Sequence, residues 1–563
     1  MNNEFSTIDI IVFASYALII LSVGLWVSRN KKGKTKSAED YFLASKSLPW
    51  WAVGASLIAA NISAEQFIGM SGSGFALGLA IASYEWMAAI TLLVVGKYFL
   101  PIFIEKKLYT IPEFIEKRYS TNLKTILAVF WIALFIFVNL TTVLYLGGVA
   151  LDTIIGSGDG SIILISIICL GFFAAAYSLW GGLAAVAWTD VIQVVLLIFG
   201  GLLMTYFALI NVTDSGNFVD GLKFIYKKIP ERFTMILSKG EIITPNGRDA
   251  WNDLPGIAVL VGGMWVANLY YWGFNQYIIQ RTLASKSLEE GQKGIAFAAF
   301  LKLIIPIIVV LPGMIAYVMN LDESGILTKE SVDISFINRW NDKIISDNAA
   351  PWLIKNFIPS GIKGLILAAL SAAIVSSLAS MLNSTSTIFT MDIYKSLINK
   401  KADDKSMVKV GRLSVFVSLI IAMLIAPQLG NLGQVFQFIQ EYTGVVSPGI
   451  LAVFLMGLFY KKATNNAAIW GVISSIPIAM FFKVAPNGWS SLPIFINIPF
   501  MHQMMATCIG TMIIIYCISY IEGNQDDPKG IKITDKLFHT SSQFNLSAIS
   551  IMMITAFLYA FFW

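Results

Sequence analysis

The feature that most constrains this chain is a succession of apolar runs, each close to the length of a membrane-crossing helix, recurring from one end to the other. A helix needs about 20 consecutive apolar residues to cross the hydrocarbon core of a bilayer. Read on that length, the sequence predicts about fourteen spans, near 7–27, 48–70, 77–104, 122–151, 161–180, 184–210, 255–281, 294–320, 361–393, 409–427, 432–460, 464–484, 498–521 and 544–562. Composition supports the reading. Only 13% of residues are charged and 56% are hydrophobic, whereas soluble domains carry about 25% charged residues. The expected fold class is therefore an all-α membrane protein, a single transmembrane domain over 1–563. Only the connections at 211–254 and 321–360 are long. The first run, Ile10–Val27, lacks a small-residue cleavage site after it and reads as a retained span.

Several function classes drop out. The net charge is +5, and Lys and Arg sit in short clusters between apolar runs rather than along one face, so no nucleic-acid partner is expected. The only histidines are His502 and His539, and Cys169, Cys508 and Cys517 show no C-x-x-C spacing. A zinc site, a disulfide framework and a Ser-His-Asp hydrolase all lack their residues. No nucleophile–base set or nucleotide-binding motif is present, so the chain does not read as an enzyme.

Basic residues orient the bundle. Arg29, Lys31, Lys32, Lys34, Lys36 and Lys46 follow the first span. Lys106, Lys107, Lys117, Arg118 and Lys124 come two helices later, and Arg281, Lys286 and Lys293 belong to a further connection on that side, as do Lys395–Lys409 and Lys461–Lys462. The positive-inside rule makes that side cytoplasmic and, with an even number of spans, both termini extracytoplasmic. The expected location is the cell (inner) membrane, multi-pass.

Within lipid, broken helices and polar side chains persist only where they are buried in protein or line a cavity. The clearest interruption is Ala59–Gln66, which holds Asn61, Ser63, Glu65 and Gln66 inside a span and runs into a Gly-rich stretch. Its backbone carbonyls can leave the helical ladder and bind an ion. A second interruption is Trp265–Gln276, about five spans later. Two interrupted helices at corresponding positions of two halves mark the binding site of an inverted-repeat transporter. A third feature is the hydroxyl-rich Ser371–Thr385. Small hydroxyl residues also serve close helix packing, but the adjacent pair Ser376–Ser377 opposite a broken helix suits a hard cation such as sodium, which wants several oxygens.

Glu85, Asp190 and Lys302 are charges inside apolar segments, costly to bury and so functional candidates. Glu85 lies between Tyr84 and Trp86. Carboxylate and amide groups beside aromatic faces suit a sugar, which offers hydroxyls to pair and an apolar ring face to stack. Asn61, Gln66, Asn268 and Gln440 fit that need, since amides both donate and accept. Tyr271, beside the second interruption, reads as a ring-stacking gate.

The string Tyr177–Gln193, with Gly181-Gly182 and Trp188-Thr189-Asp190, resembles the signature of the sodium/solute symporter family, as do Asn268–Arg281 and Ala373–Asn383. The likeness runs over nearly the whole chain and is strongest to the sodium/galactose and sodium/glucose cotransporter branch. The resemblance implies a LeuT-type core of two inverted five-helix repeats with broken first and sixth helices. An extra helix at 7–27 precedes a first repeat at 48–210; a second repeat at 255–460 is followed by extra helices at 464–563. It implies sugar contacts at Asn61, Gln66, Glu85, Asn268, Lys302 and Gln440, and an inner gate at Tyr271. It implies an outer gate of Met70, Tyr84 and Phe436. A sodium site is implied at the carbonyls of Ala59, Ile62 and Ala373 and the hydroxyls of Ser376 and Ser377, with Asp190 along the sodium exit. One position departs: the galactose pattern has Ser three residues after the site Glu, where this chain has Ala88. The expected activity is sodium-coupled hexose import by alternating access. Sodium is co-transported, the lipid bilayer is the other partner, and the protein is a monomer or weak homodimer. Symport of another polar solute (a sialic acid, inositol or an amino acid) and a non-transporting sugar receptor remain the alternatives.

Overall fold

The computed structural model describes residues 5–28, 37–156, 160–337, 343–431, 435–484 and 498–563. Arg29, Lys31, Lys32, Lys34, Lys36 and the first residues of the 432–460 span fall outside them. The described chain is helical, with three isolated β-bridges and no strand among the described residues. Eleven of its helices are long and apolar enough to cross a membrane. The expected count of about fourteen included segments that prove to be interrupted. Trp50–Asn61 and Gly263–Phe274 have 12 residues each, roughly 18 Å of helix against a core of about 30 Å.

The elements that position or flank the site are α1 (Thr7–Ser28), α2 (Trp50–Asn61), α3 (Met70–Leu77), α4 (Ser83–Val94), α5 (Leu183–Asn211), α6 (Gly263–Phe274), α7 (Gln276–Leu283), α8 (Leu288–Met319), α9 (Ile362–Ile388), α10 (Val435–Phe459) and α11 (Ser542–Phe561). The core is built around α9 and α8. The apolar window that begins α9 is 94% buried within the protein, against 22% for those of α1 and α11, so α9 is central and the latter two meet lipid. α9 packs on α5, and α8 packs on α2, α3 and α4. Small residues let these backbones come together. At Gly313 of α8, an added side-chain carbon would come within 1.8 Å of the Ser71 carbonyl oxygen.

The Tyr177–Gln193 string forms the turn between helix Ile163–Gly181 and α5. Gly182 holds it at φ +63°, and a Cβ there would meet the Tyr41 carbonyl oxygen at 2.4 Å, so no other residue fits. At the far end of the core, α1 completes α9. The fully buried Asp9 of α1 accepts the backbone N–H groups of Gly361 and Gly364, both at 2.7 Å, satisfying orphan donors at the start of α9.

Candidate functional site

Both expected interruptions are helix breaks. α2 ends at Ile62, whose ψ of 88° leaves the helical region, and the chain resumes as a π-helical turn over Glu65–Gly69 before α3. At the break, the Ser63 N–H donates to the Asn61 carbonyl at 2.9 Å and the Gln66 N–H to the Ser63 carbonyl at 3.1 Å. In a continuous helix those two donors would serve the carbonyls of Ala59 and Ile62. The two carbonyls expected to bind the ion are thus released from the ladder. The second break falls at Asn275, extended at φ −84° and ψ 119°, between α6 and α7.

The breaks frame a narrow polar cavity of about 60 Å³. All six expected solute residues, Asn61, Gln66, Glu85, Asn268, Lys302 and Gln440, line it, together with Tyr84, Tyr271 and Ala88. They come from five elements: α2 and the turn after it, α4, α6, α8 and α10. A chain of contacts joins them. The Lys302 ammonium donates to the Glu85 carboxylate at 2.5 Å and to the Asn61 side-chain oxygen, and lies 5.0 Å from the centre of the Trp272 ring. The Asn61 amide donates to the Tyr271 hydroxyl at 3.0 Å, which also accepts from the Tyr277 hydroxyl at 2.8 Å. Against these, side-chain atoms of Glu65, Gln66, Asn268 and Ser447 are buried at the cavity with no partner among the described residues. Each such group costs about 1–3 kcal/mol unless something else pairs it.

Two of the three expected outer residues are in contact. Tyr84 meets Phe436 edge to face at 5.4 Å. Phe436 lies against Gly69, where an added Cβ would come within 2.9 Å of it, and the neighbouring Met70 is fully buried. Tyr84 lines the cavity; Met70 and Phe436 do not. Arg232, from the connection after α5, donates to the carbonyls of Phe75 and Ala76 at 3.1 Å each and lies 3.7 Å over the Tyr317 ring, capping α3.

The expected ion ligands lie beside the cavity. Ser377 of α9 donates to the Ala60 carbonyl at 3.1 Å, joining α9 to the break directly, and Ala373 stands one turn earlier on α9. Ser376 donates to Asp190 at 2.5 Å. Asp190 is not at the cavity. It is fully buried in a closed network, accepting also from Ser56 at 2.5 Å and pairing with Arg281 at 3.5 Å. Arg281 donates further to Ser56 at 3.0 Å, to Ser380 and to the Tyr277 carbonyl. This corrects the sequence reading, which placed Arg281 with the loop charges. It is buried at the end of α7, and the signal was available, since Asp190 was an intramembrane acid needing a partner. Sequence reasoning also missed Thr443 and Ser447, which line the cavity three and seven residues after Gln440 on one face of α10.

Two broken helices meeting at a polar cavity inside an all-helical membrane core define a secondary transporter. The protein belongs to the sodium:solute symporter family, whose model matches residues 41–475. Among similar proteins, a sodium/glucose cotransporter of Vibrio parahaemolyticus is 59% identical, covering 99% of this chain and 98% of its own. The human sodium/myo-inositol cotransporter 2 is 33% identical over 84% of this chain and 69% of its own. A solved structure of a Na+-coupled sialic acid symporter, substrate-bound and outward-open, superposes with a TM-score of 0.74 at 24% identity, covering 92% of this chain and 98% of that one. That likeness establishes the LeuT-type fold. The protein is a multi-pass membrane transporter that carries sodium with its solute.

Proposed function

We propose that the chain imports a hexose, galactose or glucose, together with sodium by alternating access. The observation that carries this reading is the gathering of Asn61, Gln66, Glu85, Asn268, Lys302 and Gln440 on one cavity with Tyr271 and Tyr84 beside it. Amides, one carboxylate and one ammonium pair ring hydroxyls, while aromatic faces take the apolar side of the ring. The 59% identity to a sodium/glucose cotransporter supports it.

In this reading sodium binds the released carbonyls of Ala59 and Ile62, the Ala373 carbonyl and the hydroxyls of Ser376 and Ser377. It takes over the joint that Ser377 and Ala60 make directly. Holding the break against α9 fixes Asn61 and Gln66 for the sugar, so each ligand raises the affinity for the other. Met70, Tyr84 and Phe436 form the outer gate. Tyr271 gives up its bonds to Asn61 and Tyr277 when the sugar leaves inward, and Asp190 receives sodium on its way out. The repeats run over 48–210 and 255–460, both termini are extracytoplasmic, and the membrane potential contributes about 2.3 kcal/mol per charge per 100 mV.

The test is uptake by proteoliposomes under an inward sodium gradient, with labelled galactose, glucose, myo-inositol, a sialic acid and an amino acid. Galactose or glucose accumulates only with sodium, and each competes with the other. Accumulation of one of the remaining solutes with no competition by either hexose overturns the sugar assignment. Hexose binding without sodium-driven accumulation would mark a receptor instead.

A further inference from the structure

The face of the protein away from the cavity carries a groove between α4, with the π-helical turn Val95–Phe99 that continues it, and α11. Its volume is about 630 Å³. On one wall stand Ile90, Leu93, Val94 and Lys97, and on the other Asn545, Ala548, Ile549 and Met552. Each set has the spacing i, i+3, i+4, i+7 of a single helical face. Trp86 meets Tyr559 at 5.8 Å and Tyr98 meets Phe538 at 5.3 Å, so the two walls run antiparallel. The polar ends of both walls, Lys97 and Asn545, therefore coincide, and His539 and Thr540 join them. The opposite end is wholly apolar and lies deeper in the membrane. The groove is amphipathic along its length of about 10 Å.

Lys97 is a charge within a membrane-crossing helix. It lies inside an apolar stretch, about 12 Å of helix before that stretch ends at Glu105. A charge there needs a partner. Its one ring contact is with Tyr98, at 5.4 Å. No carboxylate lies within ion-pair distance of it among the described residues, and none lines the groove. The contrast is Lys293, in the groove on the other side of α11, which is paired with Glu289 at 2.9 Å.

We propose that this groove is a binding site for an anionic phospholipid, with its phosphate on Lys97 and the Asn545 amide N–H, whose oxygen the Thr540 hydroxyl holds at 2.5 Å, and an acyl chain along Leu93, Ala548 and Met552. An ammonium, neutral donors and no acid recognise a phosphate-bearing headgroup with net negative charge. The apolar end selects a lipid over a free phosphate.

Native mass spectrometry of the full-length protein, released from detergent with equal phosphatidylglycerol and phosphatidylcholine, tests the site. The ratio of retained phosphatidylglycerol to phosphatidylcholine is expected to be about fivefold, the worth of one lysine near an anionic headgroup. Lys97→Gln brings it near one, and Lys293→Gln leaves it unchanged. Ala548→Phe, which fills the apolar end, removes the retained lipid of both kinds. Each variant is first checked for a single symmetric elution peak and unchanged helical circular dichroism. If the wild type retains both lipids equally, or Lys97→Gln keeps the preference, the site does not exist as described. An equal loss in Lys293→Gln assigns the preference to general surface charge and overturns the proposal. So does a dimer that persists after delipidation and is lost in Ala548→Phe, because the groove then holds a second copy of the chain.

Discussion

Two polar clusters lie side by side in the core, and they are built on opposite terms. Around Asp190, the carboxylate, the hydroxyls of Ser56, Ser376 and Ser380 and the Arg281 guanidinium bond to one another. Around the cavity, Lys302, Glu85 and Asn61 are paired, while Glu65, Gln66, Asn268 and Ser447 keep buried polar atoms without partners. A closed network is a structural element, and removing one member strands the rest. An open one leaves capacity for a ligand. The two touch through adjacent residues, since Ser376 belongs to the first and Ser377 reaches the helix break that forms the second. A ligand in the open cluster can thus be sensed by the closed one through a single turn of α9.

The sharpest way to break this contrast is at Arg281. Arg281→Ala leaves Asp190 buried and unpaired, with an expected loss of about 3–5 kcal/mol. Poor yield and a lower thermal midpoint in detergent should follow, with partial rescue by adding Asp190→Asn. A single variant that melts like the wild type would falsify the closed-network view. Next comes Glu85→Gln at the cavity. It keeps the shape but leaves the buried Lys302 without its counter-charge, so the melting temperature falls, and hexose uptake per folded molecule should fall about 10–100-fold from the loss of a charge-assisted hydrogen bond. If stability falls and uptake per folded molecule does not, the two clusters have been assigned the wrong way round. Ser377→Ala probes the joint between them. Half-saturating sodium should rise about tenfold, the loss of one oxygen ligand or charge-assisted bond, while uptake at saturating sodium recovers. A uniform loss at all sodium concentrations places Ser377 in packing instead. Ala88→Ser adds a hydroxyl to the cavity wall and should change the galactose-to-glucose preference by about fivefold; a change in sodium dependence instead would blur the boundary between the clusters. The smallest effect concerns Asp253, a buried acid in the connection before α6. Burial lifts its carboxyl to about 6 even with Arg248 at 2.7 Å. Its folded-state pKa lies above the unfolded value, so the folded form takes up a proton first, and acidification from pH 7 to 5 is stabilising at this group. Asp253→Asn should remove a rise of about 1 °C in the thermal midpoint over that range, and it should leave sodium dependence alone.

Much of the cavity was legible in the sequence because lipid makes polarity conspicuous. Asn61, Gln66, Glu85 and Lys302 stand out inside apolar runs, and the structure brings them together. Thr443 and Ser447 were not legible, because hydroxyls in membrane helices serve packing and backbone bonding equally well. Arg281 was misread because it sits at a helix end beside real loop charges. Only the tertiary crossing of α5, α7, α2 and α9 turns it inward to Asp190. The count of about fourteen spans exceeds the eleven unbroken apolar helices among the described residues, because a length criterion does not register the spans that are broken.

The cap that Asp9 places on α9 has a consequence for how the protein is made. The two ends of that contact are 352 residues apart in the chain. α1 must wait, already in the bilayer, until α9 has been synthesised. Domains form as units during synthesis only when their contacts are local. Here the helix bearing Ser376 and Ser377 is capped by a segment made 352 residues earlier, so its docking depends on a long-range contact. An Asp9→Ala chain should therefore insert normally and be delayed at this docking, visible in a pulse-chase as a long-lived protease-sensitive form that matures slowly.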